Sequence, residues 1–175
     1  MNFHILPVIL VLILLILSII YLFYKPQKKP RTDNIYTEAL NAMVNADKVK
    51  AINLLRDVVK QDSDHINAYI QLGNIFREDN PEQAAKIHQS LTVRPNLSDE
   101  SQIDIHRALA KDYKKLRHLD LAKREGEQIL RINKKNEWAL KFLLSLAEQT
   151  EDWDRASQLV KQLEKQTSSK EGYEL

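Results

Sequence analysis

The chemistry this chain offers is concentrated in basic side chains at helical spacing. Arg107, Lys111 and Lys114 fall at i, i+4 and i+7, so one helical face would carry all three. A guanidinium presents a planar fork of donors and an ammonium a compact charge, and both bind carboxylates through charge-assisted hydrogen bonds. Such a face can hold a segment bearing acidic groups or a free carboxylate; a solvated charged face would carry the same residues. Catalytic chemistry has no comparable support. No glycine-rich phosphate loop, Gly-x-Ser-x-Gly or His-Glu-x-x-His occurs. His65, His88, His106 and His118 are scattered rather than spaced as ligand pairs, and His88, on an apolar face, reads as a packed histidine. Asp99-Glu100 and Glu151-Asp152 fall in turns, where helix capping accounts for them. The chain has no cysteine, which excludes a disulfide framework and a thiolate zinc site. No catalytic, cofactor-binding or metal-ligating residue is assigned, and the expectation is a protein that is not an enzyme.

The elements that would position these cations are short paired helices. In the stretch 66–91, Tyr69, Leu72, Gly73 and Phe76 share one helical face, and Ala84, Ile87, His88 and Leu91 share another. Asp79-Asn80-Pro81 separates them, because proline disfavours helix in the residue before it and suits the first turn of the next helix. Gly73 and Ala84 sit where the two faces must meet, and small residues there let helix axes approach. The pattern recurs: Leu109, Ala110 and Tyr113 with Ala122, and Leu143 and Ala147 with Ala156. A degenerate first copy has Ala39, Ala42, Ala51, Leu55 and Val58. The layout is that of a tetratricopeptide repeat. The fold expected is all-α: an α-solenoid of about four helical hairpins over 34–166, preceded by a transmembrane helix and followed by a frayed polar tail, 167–175.

In a solenoid the first helix of each repeat lines the inner face. Counting from the small residue of each hairpin assigns Tyr36, Leu40 and Met43 to that face in repeat one. Repeat two contributes Ile70, Asn74 and Arg77; repeat three Arg107, Lys111 and Lys114; repeat four Trp138, Lys141, Ser145 and Glu148. The groove would be apolar at its start and basic further along. Asp33 or Asn34 is expected to cap the first helix, and Trp153 to pack against the last hairpin. The final helix, about 153–165, presents Ala156, Leu159, Val160 and Leu163 with no further repeat to cover them, so self-association through that hairpin is expected.

Ahead of the repeats, residues 5–24 are almost wholly apolar, interrupted by Pro7 and Ser18. Twenty helical residues span about 30 Å, the hydrocarbon thickness of a bilayer. Residues 1–24 therefore read as a retained anchor in contact with the lipid bilayer, since Met1-Asn-Phe-His has no basic residue and Tyr-Leu-Phe-Tyr24 offers no small cleavage site. Lys25, Lys28, Lys29 and Arg31 follow directly in a stalk, 25–33, and positive residues stay on the cytoplasmic side. With those four set aside, 22 basic residues face 24 acidic ones, a balance that gives no support to nucleic-acid binding.

With the anchor and the repeats in view, the chain resembles the lipopolysaccharide assembly protein B family. The most specific residues are Leu72-Gly-Asn-Ile-Phe-Arg77 with Ile87-His-Gln89, supported by Arg107, Lys111-Asp-Tyr113 and Trp153-Asp-Arg-Ala156. The resemblance implies a single-pass protein of the bacterial inner membrane with cytoplasmic repeats. It further implies an adaptor that regulates lipopolysaccharide synthesis, its partners a membrane-bound AAA protease and a lipid A biosynthetic enzyme. Members of that family continue with more repeats and a rubredoxin-like zinc domain built from two Cys-x-x-Cys pairs. This chain has no cysteine, so the metal site is not carried over and a shortened member is expected. An anchored assembly factor of the cytochrome c maturation type, working outside the membrane, is the alternative, and the basic stalk favours the first.

Overall fold

The computed structural model of the chain describes residues 12–16, 18 and 31–171. Most of the expected anchor and stalk, and residues 172–175 of the tail, lie outside the described residues. Among the described residues no helix is long and apolar enough to cross a membrane.

From residue 31 to residue 171 the chain is all-helical and solenoid-like. It forms α1 (Arg31–Val44), α2 (Lys48–Gln61), α3 (Ile66–Phe76), α4 (Pro81–Gln89), α5 (Asp99–Lys115), α6 (Leu119–Ile132), α7 (Glu137–Gln149) and α8 (Trp153–Glu171). Each odd-numbered helix packs on the next as a hairpin, and each hairpin packs on its neighbour in sequence. The starts are fixed by local chemistry. Side chains of Asp47, Asn80, Ser98 and Asn136 accept hydrogen bonds from the backbone N–H three residues on, at 3.0–3.2 Å. Pro81 occupies the first turn of α4, where a missing N–H costs nothing.

Three of the four hairpins turn in the same way. Ala46, Arg117 and Glu151 adopt left-handed φ values of 58°, 62° and 56°. The following N–H of Asp47, His118 or Asp152 then bonds back to the carbonyl of Ala42, Tyr113 or Ala147, at 2.8–2.9 Å. This Schellman arrangement satisfies carbonyls that the helix end would leave open, and it normally uses glycine. Side-chain-bearing residues in that conformation are disfavoured by about 1–2 kcal/mol. Glu151 is exposed, so Glu151→Gly is expected to stabilise the fold by roughly 0.5–1 kcal/mol after the added freedom of the unfolded chain is subtracted. A rise in the urea midpoint at constant slope would register it; a fall would mean that the turn tolerates no loss of side chain.

The small residues pack closely. Ala39, Ala51, Ala84 and Ala122 are fully buried and Ala156 nearly so. Leu55, Val58, Ala68 and Leu72 join α2 to α3; Ile70, Leu91, Ile105 and Leu109 join α3 and α4 to α5; Leu140, Leu143, Ala147 and Leu159 close the last hairpin. Phe76 and Tyr113 pack against these clusters half-buried. The long connection before α5 is tethered, because the Arg94 guanidinium lies 4.5 Å over the Tyr69 ring and also donates to the Ser63 carbonyl.

Several boundaries differ from expectation. Residues 31–33 of the stalk are already helical, so Asp33 and Asn34 lie inside the first turn of α1 rather than capping it. A carboxylate there suits the positive end of the helix dipole. Trp153 begins α8 with 64% of its surface exposed instead of packing on the hairpin. Helix α8 runs to Glu171, past the expected start of the frayed tail. Leu159 is fully buried and Leu163 half-buried against α7, which leaves Val160, 39% exposed, as the open part of that face. The apolar end available for self-association is therefore smaller than its sequence suggests.

Candidate protein-binding face

Consecutive first helices lie side by side, and their side chains meet across the seams. On α7, Trp138 and Phe142 are one turn apart, and their rings stack with centroids 4.9 Å apart at 16°. The cations of α5 sit over this pair. The Arg107 guanidinium is 5.3 Å and the Lys111 ammonium 5.9 Å from the Trp138 ring; the Lys114 ammonium is 5.5 Å from Phe142. Lys114 also donates to the Ser145 hydroxyl at 2.7 Å. The spacing that puts Arg107, Lys111 and Lys114 on one helical face thus aims all three at one aromatic floor.

The charge of this face is under-compensated. Arg107 bonds Asp104 on its own helix at 3.0 Å, yet its Nε is buried without a hydrogen-bond partner. Among the described residues Lys111 has no ion-pair partner. Its ammonium pKa is pushed below the usual lysine value, first by partial burial and then by repulsion from Arg77 and Arg107. A cation over an exposed ring gains about 0.5–1 kcal/mol. A hydrogen bond to a charged group is worth about 1.5–3 kcal/mol. An incoming carboxylate would therefore find cations held in place but weakly satisfied.

Beneath the face lies a buried ionic cluster that joins three helices. Asp112 of α5 is fully buried and meets Nε of Arg77, the C-cap of α3, at 2.5 Å and His88 Nδ1 of α4 at 2.5 Å. His88 Nε2 faces the Ile70 carbonyl at 3.1 Å. Each ring nitrogen thus stands within hydrogen-bond distance of one oxygen, which fixes the orientation of the imidazole. Arg77 also donates to Asn74 Oδ1 at 2.6 Å and to the Ala108 carbonyl at 3.3 Å. Gly73 makes room for the imidazole, for a Cβ at that position would stand 2.3 Å from His88 Nε2.

The structure thus divides the residues assigned to the groove. Arg107, Lys111, Lys114, Trp138 and Ser145 come together. Asn74 and Arg77 adjoin them, but Arg77 is committed to Asp112 and keeps only 14% of its side chain exposed. Ile70 is no groove residue: at 7% exposure it belongs to the core with Leu91, Ile105 and Leu109, because the inner side of α3 there faces α5. On α1, Tyr36 and Met43 pack half-buried against the first core cluster, Tyr36 with its ring 4.5 Å from His65, and burial raises its phenol pKa. Leu40 is half-buried. Lys141 points outward and pairs with Glu137 at 2.6 Å, and Glu148 is exposed. His88 is buried as expected but is hydrogen-bonded to Asp112 and the Ile70 carbonyl rather than packed in an apolar setting.

Sequence reasoning missed Phe142 and Asp112. Phe142 stands one turn from Trp138, a spacing that brings side chains together on a helix. Asp112 lies on the apolar stripe of α5 set by Ile105 and Leu109, and a carboxylate on such a stripe calls for a buried cation. His106 and Glu125, paired at 2.6 Å between α5 and α6, form a further contact that spacing alone did not link.

No family model matches the chain. It is 26% identical over 152 residues to lipopolysaccharide assembly protein B of Escherichia coli (strain K12), covering 86% of this chain and 39% of that protein. It is 28% identical over 141 residues to lipopolysaccharide assembly protein B of Haemophilus influenzae, covering 74% of this chain and 35% of that protein. The chain thus spans under two fifths of the length of these curated relatives. Among solved structures, MamA from Desulfovibrio magneticus RS-1 superimposes with a TM-score of 0.66 at 13% identity, covering 81% of this chain and 78% of that one. A tetratricopeptide repeat protein from Parabacteroides merdae gives 0.65 at 18% identity, covering 75% of this chain and 51% of that one. The relatives are named as assembly proteins. The chain is a tetratricopeptide-like helical solenoid similar to lipopolysaccharide assembly protein B over most of its own length.

Proposed function

We propose that this chain is a membrane-anchored adaptor of lipopolysaccharide control, which uses the inner face of its solenoid to bring a lipid A biosynthetic enzyme to a membrane-bound AAA protease. The observation that carries the reading is the similarity to lipopolysaccharide assembly protein B along a chain that presents a cationic, aromatic-floored face. The apolar segment 5–24 supplies the anchor, and Lys25, Lys28, Lys29 and Arg31 hold the repeats on the cytoplasmic side of the inner membrane.

Affinity purification of the full chain from detergent-solubilised membranes, with mass spectrometry of what co-purifies, tests the partners. Enrichment of an AAA protease together with an enzyme of lipid A synthesis is the expected result; recovery of neither would overturn the adaptor reading. A reporter fused after Leu175 is expected to be active only in the cytoplasm. Activity outside the membrane would instead fit an assembly factor of the cytochrome c maturation type.

A further inference from the structure

The cations of α5 are strung along the helix axis. Arg107 and Lys111 are separated by an axial rise of about 6 Å, and Arg107 and Lys114 by about 10 Å. One phosphate group cannot touch both ends of that row. An extended peptide can, since it rises about 3.3 Å per residue and sends alternate side chains to the same side. Two carboxylates two residues apart stand about 6.6 Å apart, close to the Arg107–Lys111 rise. Available partners on the protein side are few. Arg107 Nε is buried without an acceptor, Lys111 has no ion pair among the described residues, and Lys114 has a neutral hydroxyl. The aromatic pair beneath holds these cations in one row by cation–π contact. Arg77, by contrast, already commits its Nε and Nη2 donors to Asp112, Asn74 and the Ala108 carbonyl, which sets one edge of the site.

We propose that the inner face between α5 and α7 binds an extended acidic segment of a partner protein, with carboxylates two residues apart on Arg107 and Lys111 and a third acceptor on Lys114, above the Trp138–Phe142 pair. This deepens the proposed function and rests on its reading of the chain as a protein-binding scaffold.

The chain has two tryptophans, so Trp153→Phe leaves Trp138 as the sole tryptophan reporter in the site. The full chain carrying that change, in neutral detergent micelles, is titrated with the acetylated and amidated peptide Gly-Glu-Ala-Glu-Ala-Glu-Gly, whose three carboxylates share one side when extended. A saturable change in Trp138 emission is expected, weakening as salt is raised. The glutamine version of the peptide is expected to bind at least tenfold more weakly. Lys111→Glu with Lys114→Glu is expected to lose at least tenfold in affinity. Lys134→Glu with Lys135→Glu, the same charge change in the exposed turn before α7, is expected to change it less than twofold. Far-UV circular dichroism checks the fold, and if the reversed pair unfolds, Lys111→Gln decides, with at least a threefold loss expected. Equal binding of the glutamine peptide, or unchanged affinity in the folded lysine variants, would overturn the proposal. So would a saturable response to inorganic phosphate or phosphatidylglycerol with none to the peptide, which would assign the face to anionic head groups. The outcomes separate from those of the adaptor reading. Peptide binding without recovery of protease and enzyme overturns only the latter; recovery without peptide binding overturns only this site.

Discussion

Gly73→Ala is expected to destabilise the protein by on the order of 3 kcal/mol, although alanine is the better helix former by about 1 kcal/mol. The reason is the fully buried His88 ring. An alanine Cβ would lie 2.3 Å from Nε2, 2.6 Å from Cε1 and 2.9 Å from Cδ2. The ring cannot retreat without giving up its bond to the Ile70 carbonyl, its bond to Asp112, or both. Overpacking of about 1–3 kcal/mol is then joined by the loss of a bond to a charged group. Gly126→Ala is the internal control. Its added Cβ would stand 3.0 Å from Leu143 Cδ2, 3.1 Å from its Cγ and 3.3 Å from Phe142 Cδ1, contacts that a few tenths of an ångström of movement would relieve. Urea unfolding followed by circular dichroism should show a large fall in midpoint for Gly73→Ala and little change for Gly126→Ala. Adding His88→Ala to Gly73→Ala should make the two changes cost less than their sum. Strict additivity would mean that the imidazole is not what Gly73 accommodates.

Asp112→Ala is expected to cost about 3–5 kcal/mol, the range for removing one partner from a buried ionic group. The carboxylate is fully buried and is shared by Arg77 and His88, so its loss leaves two donors facing one another across a desolvated gap. Asp112→Asn keeps the shape and one acceptor and should cost less. The exposed Lys141–Glu137 pair gives the comparison, since Lys141→Ala should cost no more than about 0.5 kcal/mol. Comparable losses at Asp112 and Lys141 would show that water reaches the cluster and that it contributes no more than a surface pair.

The hairpin architecture was legible because it rests on single positions with one physical requirement. Ala51, Ala84, Ala122 and Ala156 each stand where two helices touch, and a periodic small residue announces that contact. Asn80-Pro81 and Ser98 mark helix starts by backbone chemistry that acts within a few residues. Face assignment was less secure, because a helix in a solenoid buries more than one side. Ile70 and Arg107 stand at matching places in their repeats, yet Ile70 faces the seam between α3 and α5 while Arg107 stays in reach of solvent. Asp112 could not be paired from spacing, since its partners come from two other helices and are 35 and 24 residues away in sequence. Of the residues that organise the cation row, Trp138 was assigned to the groove, while Phe142 was missed because its role comes from a ring contact within α7.

The Arg77–Asp112–His88 cluster spans the longest connection in the described solenoid, the loop before α5. Repeat arrays behave as one-dimensional chains whose stiffness is set by nearest-neighbour interfaces. A long connector would ordinarily make the junction between the second and third hairpins the most compliant joint. Here that joint is crossed by a fully buried carboxylate shared between Arg77 and His88, whereas the polar contacts that cross the outer seams lie nearer to solvent, so the central joint is stiffer than its long connector suggests. A load applied to a segment held on α5 would then pass into α3 and α4 with little lost in flexing, and the central pair of hairpins would act mechanically as one rigid lever.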